Sequence, residues 1–215
     1  MELAKEAFAV EKIGFACMKS EVIWTHSFLR ELLHQIPVET NSLLDVGCGR
    51  GIIGALVRIY RSPRIVVGVD IFDDYLAFCE KMGFYDQLIK HDLRNRLPFQ
   101  DKEFEVSTCV EVIEHLDKDC GTSVLSELER ISESVIVTAP TKFFPQRAYD
   151  GNTFQRHVCG WSAKELKKRG YAVLGVGNFL FFGKEIKYLS FLLSNFSCRL
   201  PRFSSTILAV KGAIW

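Results

Sequence analysis

Short apolar runs alternate with amphipathic stretches along most of this chain. Leu43–Val46, Ile65–Asp70, Gln87–His91, Phe104–Cys109 and Val135–Ala139 are the runs, the last stopped by Pro140. Runs apolar at consecutive positions belong to strands buried on both faces. Gly51–Tyr60, Asp73–Lys81 and Thr122–Ile131 lie between them and carry helical patterning. Strands alternating with helices predict an α/β fold: a parallel sheet covered by helices on both faces.

The final third is patterned differently. Ser162-Ala-Lys-Glu165 has the spacing of a capping box, which predicts a helix ending near Arg169, where Gly170 follows. Val173–Phe182 and Thr206–Lys211 read as two more strands, flanking a helix-like apolar segment at Glu185–Phe196. Near the start, Glu21–Gln35 reads as an amphipathic helix, with Val22, Ile23, Phe28, Leu29, Leu32 and Leu33 on its apolar side. The expected organisation is a single domain over 1–215. Within it, 1–40 form a helical cap, 141–161 a substrate loop and 183–204 an apolar helical insertion.

Composition narrows the class. The chain has 215 residues, 48% hydrophobic and 25% charged, with net charge +1. That suits one ordinary domain and argues against disorder or a broad nucleic-acid footprint. Seven cysteines, with no Cys-x-x-Cys pair, read as free thiols in a reducing cytoplasm. The first residues have no signal-peptide pattern. Lys184, Glu185, Lys187 and Arg199 interrupt the most apolar stretch, so it is a poor spanning helix.

The chemistry is concentrated in Leu43-Leu-Asp-Val-Gly-Cys-Gly-Arg-Gly-Ile-Ile-Gly54. A strand enters a glycine-rich turn and continues into a helix. Glycine allows φ > 0 and close approach of a ligand, and a helix N-terminus favours negative charge. Gly49-x-Gly51-x-x-Gly54, with Asp70 about twenty residues on, fits a dinucleotide fingerprint and hence an oxidoreductase. The competing pattern is Asp45-x-Gly47-x-Gly49-x-Gly51. Its strand-end carboxylate is unhelpful beside a pyrophosphate and useful beside the ammonium of a methionine moiety. Asp70 ends the second strand, where a carboxylate can accept two ribose hydroxyls. Ile71 can pack on an adenine face, and Asp92 can accept from an adenine amino group.

With Cys109-Val-Glu-Val-Ile-Glu-His-Leu116 after the fourth strand, the chain resembles the class I methyltransferases, close to the type 11 group. The resemblance implies a three-layer, Rossmann-like α/β fold with a seven-stranded sheet, mostly parallel with the last strand antiparallel, and S-adenosyl-L-methionine as cofactor with S-adenosyl-L-homocysteine as product. It assigns cofactor binding to Gly47, Gly49, Gly51, Asp70 and Asp92. Asp45, Cys48, Ile71, Leu93 and Val110 complete the expected cofactor set.

Methyl transfer needs alignment and desolvation, and a hydroxyl acceptor benefits from a general base. His115, Glu114 and His157 are the candidate catalytic residues, on loops that should face the carboxyl ends of the strands. His115 is expected to open the helix after the fourth strand. The acceptor expected is a small molecule, glycan or lipid-linked compound methylated at oxygen. An alternative assigns Glu111, Glu114, His115 and His157 to a divalent metal. That arrangement resembles the metal site of small-RNA 3′-terminal 2′-O-methyltransferases, which also place a histidine four residues before a tryptophan, as His157 and Trp161 stand. Here Cys159-Gly160 replaces the family's Phe-Glu. The insertion at 183–204, with Ile186, Leu189, Leu193, Phe196 and Leu200 at helical spacing, is expected to pack on the sheet or a partner subunit. Its alternative role is peripheral membrane contact by a cytoplasmic protein.

Overall fold

The computed structural model describes residues 28–148, 150–181, 184–185 and 200–212. Its strands are β1 (Ser42–Val46), β2 (Ile65–Asp70), β3 (Gln87–Lys90), β4 (Phe104–Val110), β5 (Ser132–Pro140), β6 (Ala172–Phe181), β7 (Lys184–Glu185) and β8 (Ser204–Lys211). Helices are α1 (Leu29–His34), α2 (Ile52–Tyr60), α3 (Asp73–Met82), α4 (Lys118–Ile131) and α5 (Ala163–Lys168). The sheet order is β3-β2-β1-β4-β5-β8-β6-β7. The first five strands in that order are mutually parallel, and β8 lies antiparallel between β5 and β6. The expected seven-stranded sheet is present, and the two-residue β7 adds a short antiparallel edge to β6.

Consecutive apolar residues occur because both faces of the central strands are covered. Leu44, Val46, Val67 and Val69 face a core completed by Val124, Leu125, Leu128 and Ile131 of α4 and Leu166 of α5. Their neighbours Leu43, Val66, Val106 and Ile136 face the opposite core, closed by Phe28 and Leu32 at α1 and Ile53 and Val57 of α2. Each layer thus buries a full apolar face, and all the parallel strands end on the same edge.

Local chemistry sets the helix ends. The Asp117 side chain accepts from the Cys120 N–H, so α4 begins at Lys118, four residues earlier than the apolar pattern predicts. The Ser162–Glu165 capping box forms in both directions and starts α5 as expected. The N-terminal cap is described only from Phe28, and Val22 and Ile23 lie outside the described residues. Much of the expected helical insertion at 183–204 also lies outside them. Its described ends are not α-helical: Lys184–Glu185 form β7, and Pro201–Phe203 form a 3₁₀ turn. Among the described residues no helix is long and apolar enough to cross a membrane.

Candidate functional site: the cavity at the carboxyl edge of the sheet

Three glycines shape the turn after β1. Gly47, Gly49 and Gly51 all have positive φ, at 71°, 52° and 82°. The N–H groups of Gly47 and Cys48 donate to the Val69 carbonyl at 2.8 and 3.0 Å, which ties the turn to β2. A Cβ built on Gly49 meets nothing within 4 Å. The turn therefore presents bare backbone to open space, which suits a ligand lying against it.

Two carboxylates flank this cradle. Asp70, at the end of β2, accepts from Gly49 N–H at 2.8 Å and Phe72 N–H at 2.9 Å. A carboxylate has about four acceptor sites, so capacity remains for ribose hydroxyls. Burial raises its pKa, and those amides oppose the rise. Asp45 is almost completely buried. Tyr85 donates to its Oδ2 at 2.7 Å and Thr108 to its Oδ1 at 2.8 Å. Burial pushes the Asp45 pKa up to about 6 against the pull of these two hydroxyls.

Cys48, Ile71, Leu93 and Val110 line the same cavity as the glycine turn, together with Asp92. The Asp92 carboxylate is engaged locally: Arg94 Nε donates to both of its oxygens at 2.9 Å. That pairing holds Asp92 below the ordinary carboxylate range.

The turn after β4 departs from the pattern expected of it. Glu111 has φ 53°, and a 3₁₀ turn, not an α-helix, spans Ile113–His115. His115 closes that turn; α4 opens three residues later. Glu111 and Glu114 therefore do not share a helical face, because a left-handed residue intervenes before the turn. Glu111 instead accepts from the Thr138 hydroxyl at 2.9 Å on β5, and burial pushes its pKa up to about 7. Glu114 is buried, and neither of its carboxyl oxygens has a hydrogen-bond partner. Burial, reinforced by the neighbouring Glu111, raises its pKa well above the ordinary range. Burial lowers His115 to about 4, so its ring is neutral.

The loop after β5 brings His157 to this turn. The rings of His115 and His157 are 4.9 Å apart. Ligating atoms of Glu114, His115 and His157 all lie within 4.8 Å of one another. Val158 and Cys159 N–H groups both donate to the Glu114 carbonyl, at 2.8 and 3.1 Å. His157 Nδ1 lies 2.7 Å from the Phe144 carbonyl. A carbonyl cannot donate, so Nδ1 carries the proton and a neutral ring keeps its lone pair on Nε2. Arg50 of the glycine turn pairs with Asp150, tying the loop to the cradle as well.

One cavity of about 1360 Å³ runs from Asp45 and Gly49 to Glu114, His115 and His157; Gly51 is not in its lining, and a Cβ there would meet Cys79 Sγ at 3.0 Å. Tyr85, Thr108 and Thr138 escaped the sequence-based expectation. Each acts by a tertiary contact 27 to 63 residues away, for which no local signal exists.

Residues 44–134 match a protein-family model described as "Methyltransferase domain". The mitochondrial ubiquinone biosynthesis O-methyltransferase of Saccharomyces cerevisiae is 28% identical over 93 residues, 39% of this chain and 30% of the yeast protein's length. Among solved structures, the methyltransferase domain of bacterial CtHen1 is 26% identical, with TM-score 0.54 over 82% of this chain and 92% of that one. A methyltransferase in complex with the Haloferax volcanii Trm112 activator is 16% identical, with TM-score 0.63 over 95% of this chain and 93% of that one, a likeness of fold. The dinucleotide alternative fails on topology: its six-stranded order is parallel throughout, whereas here β8 is inserted antiparallel.

Proposed function

We propose that this chain, a class I S-adenosylmethionine-dependent methyltransferase, methylates a hydroxyl oxygen of an acceptor held beneath the 141–161 loop. The observation that carries this reading is the position of His157. Its Nδ1 is engaged by the Phe144 carbonyl, and the residue lines the same cavity as the bare glycine turn.

The residues present fit the cofactor. Gly49 leaves a cradle open, Asp45 can face an ammonium, and Asp70 can accept from a ribose. When bound, the cofactor supplies an electrophilic methyl group on a sulfonium. The chain's task is then to orient the acceptor oxygen and take its proton. His157 Nε2 takes that proton as general base. Glu114, protonated by its burial, keeps a second negative charge away from the base, and His115 beside it is neutral. Phe144, Phe154 and Val158 line the cavity and are partly exposed, which suits an acceptor with an apolar portion. A small or lipid-linked molecule fits this description, and the likeness to the yeast O-methyltransferase agrees with it.

A second reading has one specific observation in its favour. Two imidazoles and a carboxyl with unpartnered oxygens make a donor set suited to Zn, Mn, Fe or Co. Metal-assisted ribose 2′-O-methylation of RNA would use such a set, and the likeness to the CtHen1 domain points the same way.

Methyl-labelled cofactor, incubated with the protein and cell extract split into organic-soluble and RNA fractions, separates the two. Label in the organic fraction that survives a chelator supports the first reading. Label in RNA that disappears with the chelator overturns it in favour of the second.

A further inference from the structure

Tyr85 lies between α3 and β3, outside every motif that carries the methyltransferase reading, yet its side chain reaches the foot of the glycine turn. Its hydroxyl donates to Asp45 Oδ2 at 2.7 Å and accepts from the Gly54 N–H at 3.3 Å. Room for the ring depends on Gly51, Gly54 and Gly68, the last two most of all. A Cβ at Gly54 would lie 2.5 Å from Tyr85 Cζ, and one at Gly68 would lie 2.9 Å from Tyr85 Cδ1. Gly54, the third glycine of the apparent dinucleotide fingerprint, is thus the berth of Tyr85.

We infer that Tyr85 is a positioning residue for the cofactor: its phenol links the first turn of α2 to Asp45 and holds that carboxylate aimed at the ammonium of the methionine moiety. The inference rests on the S-adenosylmethionine reading of the cavity. A buried carboxylate with only Thr108 as partner would turn and would protonate more readily. The Tyr85 hydrogen bond opposes both. The groups facing Asp45 are few. Asp70 repels its charge from the end of β2, and the Cys48 and Cys109 thiols are held neutral, Cys48 chiefly by its contact with Cys79 and Cys109 by burial. No cation among them compensates for the loss of a hydroxyl donor.

The sign follows directly. An ammonium is attracted to Asp45 only while Asp45 is ionised, so cofactor affinity should fall as pH drops through about 6. Removing the Tyr85 hydroxyl takes away a contribution that lowers the Asp45 pKa, so the loss of affinity should begin at higher pH.

The test is calorimetric titration of S-adenosylhomocysteine, which retains the same ammonium, into the parent, Tyr85→Phe and Tyr171→Phe from pH 5 to 8. Tyr171 is a control, a buried phenol bonded to Glu129 away from the cavity. Tyr85→Phe should bind within about threefold of the parent at pH 8, with its acid midpoint about one pH unit higher. Tyr171→Phe should lose thermal stability and keep the parental midpoint. Equal midpoints in Tyr85→Phe and the parent overturn the inference and leave Tyr85 a packing residue. Absence of binding by the parent at every pH overturns the cofactor reading itself, and this role with it.

Discussion

The indole N–H of Trp161 donates to the carbonyl of Ile113 across 3.1 Å, fastening the loop after β5 to the turn that carries Glu114 and His115. The same ring stacks beneath Lys118 Nζ at 3.8 Å and fits against Gly121, where a Cβ would lie 2.7 Å from it. Trp161→Phe should cost about 1–3 kcal/mol in urea unfolding, from a lost buried hydrogen bond and a poorly filled space. Since Trp161 fastens the loop that carries His157 to the turn that carries Glu114 and His115, kcat should fall while cofactor affinity is unchanged. Equal loss of both would mean that the two ends of the cavity are not separable.

His157→Gln tests the base. Glutamine can keep a donor toward the Phe144 carbonyl but offers no comparable proton acceptor. Turnover should fall by about 10²–10⁴, with cofactor affinity within about twofold of the parent. Turnover above a tenth of the parental value would show that the acceptor needs no base, as expected of a more acidic or already ionised oxygen.

Strands were legible in this sequence because a strand covered on both faces leaves a continuous apolar run, as Ile65–Val69 does. The glycine turn was legible because positive φ demands glycine at Gly47, Gly49 and Gly51, and the open face lies at Gly49. The start of α4 was hidden by Gly121, a poor helix residue required by its contact with Trp161, forty positions away. The departure of Glu111 was equally hidden. A Glu-x-x-Glu-His string reads as a helical face, and only the left-handed backbone at Glu111 and its bond to Thr138 separate it from Glu114. Tyr85 had no periodic context at all.

Glu129 on α4 gathers Arg169 at 2.7 Å, Lys211 at 2.9 Å and the Tyr171 hydroxyl at 3.1 Å, stapling the inserted β8 to the helices beside it. Burial alone would raise its pKa, but Lys211 and Arg169 outweigh burial and hold it below the ordinary range. Near pH 4 the folded chain therefore binds fewer protons there than the unfolded chain. The stabilisation is complete above the unfolded carboxylate pKa and is lost as pH falls through the lower folded value. Glu129→Gln should be less stable than the parent by about 1–3 kcal/mol at pH 7, and the gap should narrow below about pH 4. A gap independent of pH would assign the effect to packing instead of charge.

Gly47 and Gly49 are neighbours in the same turn, both left-handed, and alanine at the two positions should fail in different ways. Each substitution carries roughly 1–2 kcal/mol of backbone strain. At Gly47 the added methyl would run into the Val112 side chain, so overpacking adds about 1–3 kcal/mol more. At Gly49 the methyl meets no protein atom and projects into the open cradle. Gly47→Ala should therefore lower the melting temperature far more than Gly49→Ala does. Gly49→Ala should stay folded and lose at least about tenfold in cofactor affinity, because its methyl stands where the ligand would approach the backbone. Thermal melting with and without S-adenosylhomocysteine reads both effects. The ligand should raise the melting temperature of the parent by clearly more than that of Gly49→Ala. If Gly49→Ala is stabilised as fully as the parent, the cofactor does not lie over this turn, and the roles of Asp45 and Asp70 would fall together with that of Gly49.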